Sequence, residues 1–210
     1  SLTWITIKTC ELKGNREKEQ LVDAGQHANS GKPGIIRRFF SFLVVIAIVL
    51  ICSYGIRTYV IEPFEVPSGS MEDTIMTGDM VFAEKVSYLA GSPQQGDIVV
   101  FSDPQIPSRV LIKRVVAVGG QTVNLVDGVV YVDGVAQNEP YTQGESYPLS
   151  TAGNVYLSYP YTVPSNCVWV MGDNRENSAD SRYFGPVKTG TVFGKAIATY
   201  WPLNHIGLLE

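Results

Sequence analysis

Histidine is nearly missing from this chain of 210 residues, which has only His27 and His205. A Ser-His-Asp triad needs an imidazole hydrogen-bonded to its nucleophile. His27 lies in a polar tail, separated from everything downstream by a long apolar run, and His205 stands in a Gly/Leu segment that reads as surface. A histidine base is thereby all but excluded. Cysteine is equally sparse. Cys10, Cys52 and Cys167 fall in the tail, the apolar run and the C-terminal part, so pairing any two means crossing or entering that run, and no structural disulfide is expected. No CxxC pair or Cys/His cluster exists, which sets aside a zinc site; neither metal nor cofactor is expected. Positive charge is short in the larger part: residues 57–210 hold nine Lys/Arg against sixteen Asp/Glu, whereas residues 1–38 hold seven against four. A phosphate backbone needs a basic footprint, so nucleic acid is not expected as a partner.

What the chain does have begins with the apolar run. Residues 1–34 are polar and end in Asn29-Ser30-Gly31-Lys32-Pro33-Gly34, a linker composition; residues 1–36 read as a disordered cytoplasmic tail. From Phe39 to Ile56 there are eighteen residues without a charge, and at a rise of about 1.5 Å each they just span a hydrocarbon core. Arg37, Arg38 and Arg57 flank them, and residues 37–59 read as a single-pass anchor in a lipid bilayer. The excess of Lys and Arg before it favours a cytoplasmic N-terminus and an extracytoplasmic domain over residues 60–210. Ser53-Tyr54-Gly55 loosely fits a small-x-small cleavage pattern, but the apolar core exceeds a usual signal peptide's, and a retained anchor is expected.

Beyond Glu62 the pattern is almost wholly β. Val81–Ala83, Ile98–Phe101, Val110–Val118, Val123–Val126, Val129–Val132, Cys167–Met171 and Thr191–Tyr200 are β-branched or aromatic runs. Asp127-Gly128 and Asp133-Gly134 between apolar runs predict hairpins, because both turn residues need positive φ. A short helical turn is expected over Met71–Thr77. Residues 119–166, rich in Gly, Pro, Tyr and Ser, read as an inserted subdomain. The expected fold is mainly β: an antiparallel, barrel-like domain with a small β insertion, behind one helix.

Two polar segments and one lysine stand out as chemistry. Pro67-Ser68-Gly69-Ser70-Met71 follows the apolar run closely and places a serine near a membrane surface. Lys113 sits in Val110-Leu111-Ile112-Lys113-Arg114-Val115-Val116-Ala117-Val118; in a strand it shares a face with Leu111 and Val115 while Arg114 points the other way. A lysine can serve as base only when neutral, which burial achieves by lowering its pKa. Lys85, Lys188 and Lys195 lie in polar patches or beside turn glycines. Residues 172–182, GDNRENSADSR, are dense in hydrogen-bonding groups and hemmed by Trp169, Tyr183 and Phe184, which points to an ordered network. Taken singly, the pentapeptide is more simply a turn, Lys113 an edge lysine and the loop a charged surface.

Together, Pro67–Met71, Ile112-Lys113-Arg114 and GDNRENSADSRYFGPV at 172–187 resemble bacterial type I signal peptidase, the membrane-anchored Ser-Lys leader peptidase, over about residues 37–201. The resemblance implies Ser70 as nucleophile, Lys113 as general base and Ser68 as an oxyanion-hole hydroxyl. It also implies that Ser178 orients the Lys113 amine, that Asp180 and Arg182 form a supporting ion pair, and that Gly172 and Asp173 form the loop's tight start. The implied substrates are exported preproteins cut after a small-x-small site, bound as an added strand against pockets lined by Phe64, Val66, Pro67, Leu111 and Ile112. Two positions depart from the family pattern: Asp73 stands where proline is usual, and Gly119-Gly120 where a Pro-Gly pair is common. Alternatives from sequence alone are a related peptidase dedicated to one pilus or conjugation precursor, and an inactive protein that holds signal peptides; intact Ser70, Lys113 and Ser178 oppose the second.

Overall fold

The computed structural model describes residues 34–151 and 155–209; the expected disordered tail, with Cys10 and His27, falls almost entirely outside the described residues. The chain divides into two units after Ile51. Helix α1, Ile35–Tyr59, begins in the first. It contains no proline, and its large apolar side chains are exposed all round, with a mean hydropathy of 2.6 in its most apolar stretch. A helix satisfies its own backbone polar groups, which is the requirement for a segment leaving water. It is long and apolar enough to cross a membrane.

The second unit is built on two antiparallel sheets. The larger contains β1 (Ile61–Glu65), β2 (Met80–Glu84), β3 (Ile98–Ser102), β4 (Val110–Val118), β9 (Cys167–Met171), β10 (Val187–Lys188) and β11 (Val192–Trp201) in the order β1-β2-β11-β3-β4-β9-β10, with β12 (Gly207–Leu208) added on β11. The smaller comprises β5 (Thr122–Val126), β6 (Val129–Val132), β7 (Val135–Ala136) and β8 (Tyr161–Thr162), ordered β7-β6-β5-β8. Short helices α2 (Ser87–Ala90) and α3 (Ser181–Phe184) complete the regular structure. The barrel-like expectation is corrected: the end strands β1 and β10 do not pair with each other, and the large sheet stays open.

Period-two alternation divides the strands between separate cores. Ile98 and Val100 of β3 pack with Val66, Met71, Ile75 and Ile112, while Val99 and Phe101 pack with Val115, Val168, Val170 and Phe184. Cys167, Trp169 and Met171 take the other face of β9 and join Val123, Val130 and Val132 of the small sheet. Trp169, fully buried against the rings of Tyr159 and Tyr161, is the anchor between the sheets; burial of one such side chain contributes about 1.5–3 kcal/mol. The β5–β6 turn has Asp127 at φ 49° and Gly128 at φ 79°, the left-handed pair that a two-residue hairpin demands.

One detail of register positions the chemistry. β4 pairs with β3 along Val110–Arg114, but with β9 only from Arg114 to Val118. β9 ends at Met171, so the flank of β4 beside Lys113 is left without a strand partner. The 172–182 loop starts at that point.

Candidate active site

Ser70 lies on a single 3-10 turn, Gly69–Met71, preceded by Ser68 in extended conformation. Small residues at 68–70 give little helix propensity, and the turn is pinned instead by Met71 and Ile75, both buried in the core. The helical turn therefore starts two residues earlier than the expected Met71. Thr74 Oγ1 donates to Asp173 Oδ2 at 2.6 Å, tying the turn to the loop after β9. Asp73 sits at φ 76°. Proline is locked near −65° and cannot adopt that angle, so the departure from the family pattern accompanies a local backbone that excludes the usual residue.

Lys113 Nζ lies 2.6 Å from Ser70 Oγ, and also donates to the Ile112 carbonyl at 2.9 Å. Both side chains are withdrawn from solvent: Ser70 is 7% exposed and Lys113 2%. Burial lowers the Lys113 pKa to about 8, against the smaller upward pull of Asp180 and Asp173. Among the described residues the amine has no ion-pair partner, and the more distant carboxylates only partly offset its desolvation. Ser68 Oγ is 3.4 Å from Ser70 Oγ, on the solvent side.

The loop after β9 holds this pair in place. Asp180 ties its start to its end: the carboxylate accepts from Gly172 N at 3.0 Å and from both Nε and Nη2 of Arg182 at 2.9 Å. Asp180 also caps α3 by accepting from Arg182 N. Arg182 Nη2 donates onward to the Arg175 carbonyl at 2.7 Å. Asp173, fully buried, accepts from Arg114 Nε and Nη2 at 3.0 and 2.8 Å. Asn174 N donates to the Ser70 carbonyl at 3.1 Å. Gly172 allows this close approach, because a methyl there would strike both the Ser70 carbonyl and Ser178 Oγ.

Of the residues named from sequence, Ser68, Ser70, Lys113, Gly172, Asp173, Ser178, Asp180 and Arg182 converge on this place. One implied contact is corrected: Ser178 Oγ is buried without any hydrogen-bond partner, so it makes no bond to the Lys113 amine. A cleft of about 420 Å³ opens at Ser70 and Lys113, lined by Phe64, Val66 and Pro67 from one side and Val110, Leu111 and Ile112 from the other. His205, expected as a surface residue, is exposed, and its Nδ1 lies 2.7 Å from the carboxylate of buried Asp79. Sequence reasoning placed Asn174 and Arg175 in the 172–182 network without giving either a role, and it missed Thr74 and Arg114; the alternation in β4 had marked Arg114 only as facing away from Lys113.

A buried serine hydroxyl against an uncompensated lysine amine, opening on a peptide-sized cleft, defines a serine peptidase. Residues 36–201 match the family described as "Signal peptidase, peptidase S26", and the chain belongs to that family. It is 36% identical over 171 residues to the signal peptidase I of Leptolyngbya laminosa, covering 78% of this chain and 80% of that protein. The signal peptidase I of Mycobacterium tuberculosis is 35% identical over 223 residues, covering 82% of this chain and 75% of the relative. A crystal structure of a signal peptidase I from Enterococcus faecalis, 31% identical, superposes on 50% of this chain and 96% of its own at a TM-score of 0.39, too loose a fit to bear on the fold.

Proposed function

We propose that this protein is a membrane-anchored endopeptidase that removes signal peptides from exported preproteins by a Ser-Lys dyad. The observation that carries the reading is the 2.6 Å contact between Lys113 Nζ and Ser70 Oγ, made by an amine whose pKa burial has lowered to about 8. The neutral amine takes the hydroxyl proton as Ser70 Oγ bonds to the scissile carbonyl carbon. The oxyanion so formed is held by Ser68 Oγ and the Ser70 backbone N–H. The Lys113 ammonium then gives its proton to the leaving amide nitrogen, and the mature protein departs with a new N-terminus. Water, activated by the same lysine, hydrolyses the acyl-serine.

The cleft supports the substrate class. Residues 110–113 of β4 have a strand on one flank only, and the end of the outermost strand β1 lines the same cleft. An extended peptide adds there as a strand, its backbone giving affinity and its alternate side chains meeting the apolar walls at Phe64, Val66, Leu111 and Ile112. Shallow apolar walls fit small residues at the first and third positions before the cut. Helix α1 serves as a bilayer anchor, with residues 1–36 cytoplasmic and 60–210 extracytoplasmic, so the peptidase is tethered to the membrane that its substrates cross. In detergent or lipid the protein is expected to cleave a preprotein carrying an Ala-x-Ala site, and Ser70→Ala to abolish that cleavage; an active Ser70→Ala variant defeats the proposal.

A further inference from the structure

We infer that Glu139 and Tyr141, on the arm leading out of the small sheet, are positioning residues for the Ser70–Lys113 pair; the inference rests on the dyad reading above. After β7 the chain turns back, and Gln143 lies against the catalytic loop: its N–H donates to the Asp173 carbonyl, and its own carbonyl accepts from Arg175 N, each at 2.8 Å. Glu139 then receives both terminal nitrogens of Arg175, Nη1 at 2.9 Å and Nη2 at 2.7 Å. The Arg175 side chain is 1% exposed and that of Glu139 10%, so this is a buried pair. Arg175 also donates to Ser146 Oγ of the same arm, and its Nε to the Gly172 carbonyl.

Tyr141 acts on the second anchor. Its ring lies under the Arg114 guanidinium at 4.0 Å, and its hydroxyl donates to Glu139 Oε1 at 3.2 Å. Arg114 in turn grips Asp173, which takes the Thr74 hydroxyl of the nucleophile turn. The arm thus fastens 172–175, the segment whose Asn174 N holds the Ser70 carbonyl, and the side chain next to Lys113. Ser70 and Lys113 come from elements far apart in sequence, and their short contact depends on this common support. Neutralising Glu139 leaves a buried guanidinium without its counter-charge. The loop must then shift or admit water, and water at Lys113 removes the burial that lowers its pKa.

The test is steady-state cleavage by the full chain in detergent or lipid between pH 6 and 10. Glu139→Gln, Tyr141→Leu and Glu139→Asp are compared with Val135→Ala, a change on exposed β7 of the same insertion. Glu139→Gln is expected to lower kcat about tenfold to a hundredfold, with KM within about twofold of wild type. The acid limb of its pH profile moves upward from about 8. Tyr141→Leu gives a smaller shift in the same direction, Glu139→Asp recovers part of the rate, and Val135→Ala matches wild type. If Glu139→Gln fails to fold, Tyr141→Leu decides alone. Variants that lose rate or melting temperature but keep the wild-type acid limb overturn the inference, as do variants indistinguishable from wild type. Ser70→Ala and Lys113→Ala in the same assay separate the two readings: if they cleave, the dyad fails, and if they are dead beside a wild-type-like Glu139→Gln, only the positioning role fails.

Discussion

The middle of β4 carries two buried cations on successive residues and treats them in opposite ways. Lys113 meets a neutral hydroxyl and a carbonyl, has no ion pair among the described residues, and has its pKa lowered to about 8 by burial. Arg114, on the other face, has a two-pronged carboxylate from Asp173, the Gly96 carbonyl and the Tyr141 ring. A guanidinium cannot shed its proton, so burying it requires full compensation. An ammonium can shed its proton, and a fold that withholds compensation obtains a base. The nearby carboxylates fit the same scheme: Asp173 is engaged by Arg114 and Asp180 by Arg182, which weakens the upward pull they exert on Lys113.

Erasing the difference between the two cations gives the largest expected effect. Lys113→Arg places a permanent charge beside Ser70, and kcat should fall by about a thousandfold or more, read in the preprotein cleavage assay. Retention of even a tenth of the activity would break the comparison. Removing the compensation on the other face comes next. Asp173→Asn leaves Arg114 buried without its counter-charge and should cost about 3–5 kcal/mol of unfolding free energy in denaturant melts; a loss near that of a surface pair would show that Arg114 is not compensated by Asp173. The smallest effect sharpens the role of the loop between them. Gly172→Ala forces a methyl against the Ser70 carbonyl and Ser178 Oγ, with an expected stability loss of about 1–3 kcal/mol. Its kcat should drop as well, since the methyl displaces the nucleophile's own backbone.

The sequence carried the strands with strong alternation. β4 and β9 begin and end where the apolar runs do, because both are buried and bounded by turn residues. β1 was not read as a strand because Ile61–Glu65 contains Pro63 and two glutamates; it forms all the same because proline, lacking an N–H, is tolerated on an outermost strand. The open sheet was misread as barrel-like, since alternation reports which faces are buried and says nothing of whether the end strands meet. At the site, the buried lysine was legible as an anomaly: a cation with apolar neighbours on its own face. Of the arginines only Arg182 was, through the motif that pairs it with Asp180. Arg114 and Arg175 are compensated by partners far off in sequence, Asp173 at 59 residues and Glu139 at 36, and no local pattern records such pairings. The missing Ser178 bond is of the same kind, because hydroxyl placement depends on how closely Gly172 lets the loop approach.

Burial without a counter-ion lowers the Lys113 pKa to about 8, which makes its neutral, proton-accepting form accessible near neutral pH. Direct titration of the isotopically labelled Lys113 side chain by NMR, with Lys113→Ala identifying its resonance, tests it most plainly. The expected midpoint is about 8, well separated from those of the other lysines. A midpoint in the ordinary lysine range, about 10.4, would contradict it.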